Sequence, residues 1–256
     1  DYIVALGSTA ETATLSLKER DEVLRFIINR TNGRVPIVAG MGSNNTADLV
    51  EQLHSFNLDG VVAILSVVPY YNKPSQEGIY RHFMAVADAS PVPVIIYNVP
   101  GRTGLNMTAA TTLRLAHATP KIVAIKEACG NIEQMQAILD GRPEDFLVLS
   151  GDDGITVELV KRGGDGVISV AANAFPERFC GCVHNAMKGN IALAESEIAE
   201  LTPAIDLLFK EGNPTGVKAM TAAMGITRSE VRLPLVEGTE NLAADIKSAI
   251  ARYELK

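Results

Sequence analysis

Along the chain, short runs of consecutive apolar residues alternate with longer stretches in which apolar positions recur every three or four residues. The runs are Tyr2–Gly7, Val35–Gly40, Gly60–Val68, Val92–Asn98, Ile122–Glu127, Phe146–Gly151 and Gly166–Val170. Each is nearly continuous rather than alternating, which is the pattern of a parallel strand covered on both faces. The periodic stretches predict helices at Thr46–His54, Gln76–Ala89, Ala109–Ala116, Asn131–Leu139 and Ile155–Lys161. An earlier helix carries its own punctuation. Ser16-Leu-Lys-Glu19 reads as a capping box, Leu17, Leu24, Ile27 and Ile28 form the apolar face, and Asn32-Gly33 ends it before Pro36 opens the next strand. Repeated strand–helix units imply a parallel sheet with right-handed crossovers.

The strands number seven, one short of a closed TIM-type (β/α)8 barrel. The expected fold is therefore an α/β barrel of that type whose first βα unit has no counterpart in this chain. Strands two to eight and their helices would fill residues 1–172, and the last barrel helix and a C-terminal helical region residues 173–256. The rival is an open doubly wound sheet. No Gly-x-Gly-x-x-Gly turn follows a strand, however, and Gly40-Met-Gly42-Ser-Asn-Asn45 does not continue that fingerprint. No phosphate-cradling Gly-x4-Gly-Lys-Ser/Thr segment is present either.

Composition narrows the function classes. The chain is 47% hydrophobic without a single Trp, so an aliphatic core is expected. A formal net charge of −7 argues against nucleic acid or an anionic membrane as the main partner. The longest apolar run, Val61–Val68, is too short to span a bilayer, and no signal peptide is legible. Cys129, Cys180 and Cys182 make no disulfide framework, which points to a reducing, cytoplasmic setting. His54, His82, His117 and His184 are scattered singly, so no metal site is expected.

In parallel α/β folds, chemistry gathers at the carboxyl ends of strands. Those ends carry Gly7-Ser8-Thr9, Pro69-Tyr70-Tyr71, Tyr97-Asn98-Val99-Pro100, Lys126-Glu127 and Gly151-Asp152-Asp153. Lys126 is the most informative, because it ends an otherwise apolar strand. Desolvation there favours a neutral amine, the form that attacks a carbonyl to make a Schiff base. The alternative is a lysine paired with Asp152 or Asp153. Tyr97 is a candidate acid/base, and Tyr71, Ser8 and Thr9 could extend a proton relay, although any single strand-end tyrosine serves packing equally well. Arg102 is placed either to grip a carboxylate or simply to face solvent.

Six motifs in order resemble the dihydrodipicolinate synthase family, within the class I pyruvate aldolases related to N-acetylneuraminate lyase. They are Gly7-Ser-Thr-Ala-Glu11, the Pro69–Gly78 stretch, Tyr97-Asn-Val-Pro-Gly-Arg-Thr-Gly104, Ile125-Lys-Glu-Ala128, Ser150-Gly-Asp-Asp153 and Gly166-Val-Ile-Ser169. The resemblance covers essentially the whole chain. It implies that Lys126 is the Schiff-base lysine, Tyr97 the proton-transferring tyrosine, Ser8 the relay hydroxyl, and Tyr71 a relay tyrosine supplied to a neighbouring subunit. Thr9 and Ile168 match positions that contact pyruvate, and Arg102 matches the arginine that binds the aldehyde substrate. The implied partners are pyruvate and L-aspartate 4-semialdehyde, in a homo-oligomer built as a dimer of dimers. The Schiff base serves as the electron sink, so no cofactor is implied.

This sequence departs from the family pattern at several points. Ser8 stands where a threonine is usual and Ala10 is also a substitution, but Ser8 keeps the hydroxyl. Asn44, Asp48 and Tyr70 fall where the family's allosteric lysine pocket lies. Leu17 and Arg20 replace histidines of lysine-sensitive members, and a cation at Arg20 would repel a lysine ligand, so feedback inhibition is not expected. The competing readings are another pyruvate-dependent aldolase, of the keto-deoxy-sugar-acid or neuraminate-lyase type, and a ligand-binding relative without turnover.

Overall fold

The computed structural model describes residues 1–253. By Cα proximity the chain divides into two compact units, one made of residues 1–7 and 15–151, the other of residues 8–14 together with the chain from Asp152 onward.

The first unit is a parallel sheet with helices between its strands. Its elements run β1 (Ile3–Ala5), α1 (Leu17–Thr31), β2 (Ile37–Gly40), α2 (Thr46–Ser55), β3 (Ala63–Val67), α3 (Gln76–Ala89), β4 (Val94–Asn98), α4 (Pro100–Thr103), α5 (Ala109–Ala118), β5 (Ile122–Glu127), α6 (Ile132–Gly141) and β6 (Leu147–Ser150). Each strand pairs in parallel with the next in chain order. β4 is buried along its whole length and β3 along all but its last residue, as the continuous apolar runs predict. Helix α3 packs on β4 and beside α2 and α5, while α5 packs on β5 and beside α6.

Helix starts follow local chemistry. Ser16 caps α1 in the predicted box: its hydroxyl accepts the Glu19 N–H, and the Glu19 carboxylate accepts the Ser16 N–H at 2.9 Å. Asn45, Ser75, Thr108 and Asn131 each cap the following helix through a side-chain oxygen. Asn32 closes α1 in the left-handed conformation with φ 50°. The apolar face of α1 is narrower than its periodicity predicts, since Leu24 is fully buried but Leu17 is half exposed. Gly40 is required where it stands: a Cβ there would lie 2.1 Å from the Leu6 carbonyl oxygen.

The second unit begins with two 3-10 turns, Ser8–Ala10 and Thr12–Thr14. It continues through a third at Asp153–Ile155, α7 (Thr156–Lys161), β7 (Gly166–Val167), and a fourth 3-10 turn at Ala171–Asn173. Four helices complete it: α8 (Pro176–Met187), α9 (Ile191–Phe209), α10 (Thr215–Ala223) and α11 (Glu240–Tyr253). Their apolar faces meet in a core that includes Phe175, Phe179, Leu201, Ile205, Met220 and Ile246. Strand β7 is shorter than the predicted Gly166–Val170. The Val170 and Ala171 N–H groups, at 3.1 and 2.8 Å, go to the buried Asp153 carboxylate, and the chain turns there instead of extending. Among the described residues no helix is long and apolar enough to cross a membrane.

Candidate active site

The carboxyl ends of β4 and β5 bring two of the sequence candidates together. Tyr97 and Lys126 are register partners on these adjacent strands, and in parallel pairing such residues point to the same face. Both are more than nine-tenths buried. The Lys126 Nζ lies 4.1 Å from the centre of the Tyr97 ring, over its π face. That face favours a positive charge on the nitrogen, whether as ammonium or as a protonated imine. Burial pushes the Tyr97 phenol above its ordinary range, and the charge of Arg102 pulls it partway back. Gly151 leaves room for the lysine: a Cβ there would stand 3.0 Å from Lys126 Cε and 2.6 Å from Ala128 Cβ.

Arg102 sits in α4, the single helical turn directly after β4, with its side chain exposed. Beyond β3, the loop carrying Tyr70 and Tyr71 is unusual. Tyr71 is 86% exposed and holds φ at 71°, and Lys73 holds φ at 43°. Non-glycine residues in this region carry conformational strain and are enriched at functional loops. Asn72 Nδ2 donates to the Asn44 carbonyl at 2.9 Å, tying this loop to the segment before α2. The candidates Asn44 and Tyr70 are thus joined through Asn72. Asp48 lies in the first turn of α2, where its carboxylate accepts from Gln52 Nε2 at 2.8 Å. Arg20 donates through Nε to the Leu15 carbonyl.

Ser8, Thr9 and Ile168 belong to the second unit. Thr9 Oγ1 accepts from Asn213 Nδ2 at 2.9 Å, and Ser8 is exposed. The Ser8–Thr14 segment is also held through Glu11. Its carboxylate accepts from Lys218 Nζ at 2.7 Å and from the Arg232 N–H at 2.9 Å. Burial pushes the Glu11 carboxyl up, but these hydrogen bonds and the two cations outweigh it and leave the group below its ordinary range. Ile168 is buried, and the turn after it is fixed by the Asp153 carboxylate. Asp152 accepts the Gly154 N–H.

Two groups escaped the sequence reading. One is Asn213 with Lys218, more than 200 residues from the segment they hold; no local spacing signals that contact. The other is the buried network around Glu127, a strand-end residue without a role in the sequence pattern, although alternation places the residue after an inward lysine toward the helices. Glu127 and Asn98 are fully buried. Asn98 Nδ2 donates to both Glu127 oxygens at 2.9 and 3.0 Å, with Gln134 Nε2 and the Cys129 N–H as further donors.

Comparison with known proteins adds to this geometry. The model of the dihydrodipicolinate synthetase family matches residues 1–252. The 4-hydroxy-tetrahydrodipicolinate synthase of Phocaeicola vulgatus is 53% identical over 236 residues, covering 92% of this chain and 80% of that protein. The enzyme of the same name from Neisseria meningitidis is 46% identical over 250 residues, covering 98% of this chain and 86% of its own. Among solved structures, the chloride-inhibited dihydrodipicolinate synthase of Acinetobacter baumannii, complexed with pyruvate, superposes with a TM-score of 0.96 at 38% identity. It matches 100% of this chain and 88% of that one. The Aquifex aeolicus dihydrodipicolinate synthase gives 0.96 at 36% identity, with 100% and 87% covered.

Proposed function

Because the chain belongs to the dihydrodipicolinate synthetase family, we propose that it condenses pyruvate with L-aspartate 4-semialdehyde through a Schiff base on Lys126. The product is 4-hydroxy-tetrahydrodipicolinate, on the path to lysine and diaminopimelate. The observation that carries this reading is the buried Lys126 amine 4.1 Å above the Tyr97 ring, at paired strand ends.

The neutral amine adds to the pyruvate ketone carbon, and the carbinolamine loses water to leave a protonated imine. Removal of a methyl proton gives an enamine. Its carbon bonds to the aldehyde carbon, and the aldehyde oxygen takes up a proton. The amine of the second substrate then attacks the imine carbon, closes the ring and expels Lys126. Tyr97 moves protons at the carbinolamine and imine steps, with Ser8 and Tyr71 as its relay, the latter supplied to a neighbouring subunit. Thr9 and Ile168 hold pyruvate, Thr9 through its carboxylate, and Arg102 grips the aldehyde substrate's carboxylate. The positive charge needed to draw electrons from the methyl carbon resides on the imine nitrogen, so this chemistry proceeds without metal or organic cofactor.

In this reading the strands are the second to eighth of a (β/α)8 barrel spanning residues 1–172, followed by the last barrel helix and a helical region over 173–256. The active form is a cytoplasmic homotetramer built from tight dimers, and Asn44, Asp48 and Tyr70 form an allosteric pocket in which Arg20 disfavours lysine.

The test is to incubate the protein with pyruvate, reduce with borohydride and map the adduct by peptide mass spectrometry. A reduced pyruvyl adduct on the Lys126 peptide, lost in Lys126→Ala, is expected. A folded protein without that adduct sinks the reading. Turnover with keto-deoxy-sugar acids instead of aspartate semialdehyde would reassign the substrate.

A further inference from the structure

We propose that Glu127 and Asn98 form a buried positioning pair that holds Lys126 and Tyr97 in the geometry their reaction needs. The proposal rests on the Schiff-base reading and extends it to residues on the opposite face of the sheet.

The pair repeats the catalytic register one residue further along. Tyr97 is the partner of Lys126, and Asn98 is the partner of Glu127. Alternation turns the second couple away from the first, toward the helices. There the Asn98 amide bridges both carboxylate oxygens, and its own carbonyl oxygen accepts the Met107 N–H at 3.0 Å. Glu127 Oε1 accepts the Cys129 N–H at 2.9 Å, and Oε2 accepts Gln134 Nε2 at 3.0 Å. Gln134 is held in turn, its Oε1 accepting from Asn106 Nδ2 at 2.8 Å. Two backbone bonds finish the lock: the Ala128 N–H donates to the Asn98 carbonyl at 2.9 Å, and the Gly151 N–H to the Glu127 carbonyl at 2.7 Å. The network therefore fixes both strand ends, the loops that leave them and helix α6 at once.

Its composition is costly for a purely structural device. Every partner of the Glu127 side chain is an uncharged donor, and among the described residues no ion pair includes it. Burying such a charge is expensive, and a neutral, well-packed substitute of similar shape generally serves stability as well or better. What ionised acceptors supply is short, directional hydrogen bonds from several elements at once. Sub-ångström placement of a reacting group is where that directionality matters, since a displacement of about 1 Å costs on the order of a hundredfold in rate.

Glu127→Gln keeps the shape but sets an amide NH2 against donors, so the clamp loosens. The measurements are kcat and the KM for pyruvate in folded protein well below its unfolding temperature. We expect kcat to fall by roughly tenfold or more, with KM within about twofold of the parent. Unchanged kcat in folded Glu127→Gln overturns the proposal, as does a loss confined to KM. If that variant does not fold, Gln134→Ala decides, since it removes the helix-borne donor to Glu127, together with the bonds of Gln134 to Asn106 and Met107, and leaves the carboxylate in place. A several-fold drop in kcat at constant KM supports the clamp, and parent-like kcat overturns it. The parent's pyruvyl adduct separates the two readings: its absence sinks the Schiff base, whereas a normal adduct with unaltered variant kinetics sinks the positioning pair alone.

Discussion

Glu127 and Glu11 perform the same task by different physical means. Each carboxylate ties a loop that follows a strand to distant helix or loop groups. Glu11 does so with a cation, Lys218, at a partly open site where its side chain keeps 12% of its exposure. Glu127 does so at zero exposure with amides alone. The electrostatic consequences are opposite. Glu11 lies below its ordinary range. Burial pushes Glu127 above its own, with the Asn98, Cys129 and Gln134 bonds offsetting only part. A cation makes a buried carboxylate an asset to the folded state, whereas amides alone make its ionisation a cost that something else must offset.

The largest expected effect follows from removing the amide-only acceptor. Glu127→Leu leaves the Cys129 N–H without its acceptor and takes the carboxylate from the Asn98 and Gln134 amides, which keep only their bonds to Asn106 and Met107. We expect a loss of about 3–5 kcal/mol in urea denaturation. Comparable loss in Glu11→Leu would erase the contrast.

A second, smaller effect concerns the other charge sign. His82 is buried on α3, its Nδ1 at 2.9 Å from Thr46 Oγ1, and burial lowers its pKa from 6.5 to about 4. The unfolded chain binds this proton first as pH falls, so stability is full above pH 6.5 and declines toward 4. Moving from pH 7.5 to 5 should cost about 2 kcal/mol through this group. That cost should be absent in His82→Asn; an equally steep decline in the variant would remove His82 from the acid limb.

The smallest effect belongs to Glu11. Its depressed carboxyl contributes stability above the ordinary carboxylate range that is lost as pH falls through the folded value. Glu11→Gln should cost about 1 kcal/mol at neutral pH and flatten the stability curve below about pH 4. For Glu127 the sign reverses: burial raises its folded value, so its contribution is present at low pH and declines as pH rises through that value. A Glu11→Gln curve that stays as steep as the parent's would break the comparison at its weaker end.

Much of the fold was legible because parallel strands buried on both faces write themselves as unbroken apolar runs. Six of the seven predicted runs contain a strand of the first unit, and the capping box at Ser16 is a local signal that needs no tertiary knowledge. Lys126 and Tyr97 were legible for the same reason, as polar residues ending apolar strands. The pattern and the structure part at two places. The end of β7 yields to the Asp153 carboxylate, and Leu17 lies outside the packed face of α1 although its spacing fits. The Glu127 clamp draws on residues from Asn98 to Gln134, and the hold on Thr9 comes from Asn213. Such contacts depend on which elements meet, and a one-dimensional pattern carries no trace of that.

The bonds that hold the Ser8–Thr14 segment also set an order of events during synthesis. Thr9 must wait for Asn213, 204 positions later, and Glu11 for Lys218 and Arg232, 207 and 221 positions later. While the ribosome is still making the intervening helices, the strands bearing Tyr97 and Lys126 have emerged and can pair with their neighbours. The Thr9 hydroxyl, which precedes those strands in the chain, has not yet met the Asn213 amide. The chain therefore carries Lys126 and Tyr97 long before it can anchor Thr9. A nascent or prematurely terminated product, ending anywhere short of residue 213, would lack the anchor that Thr9 requires.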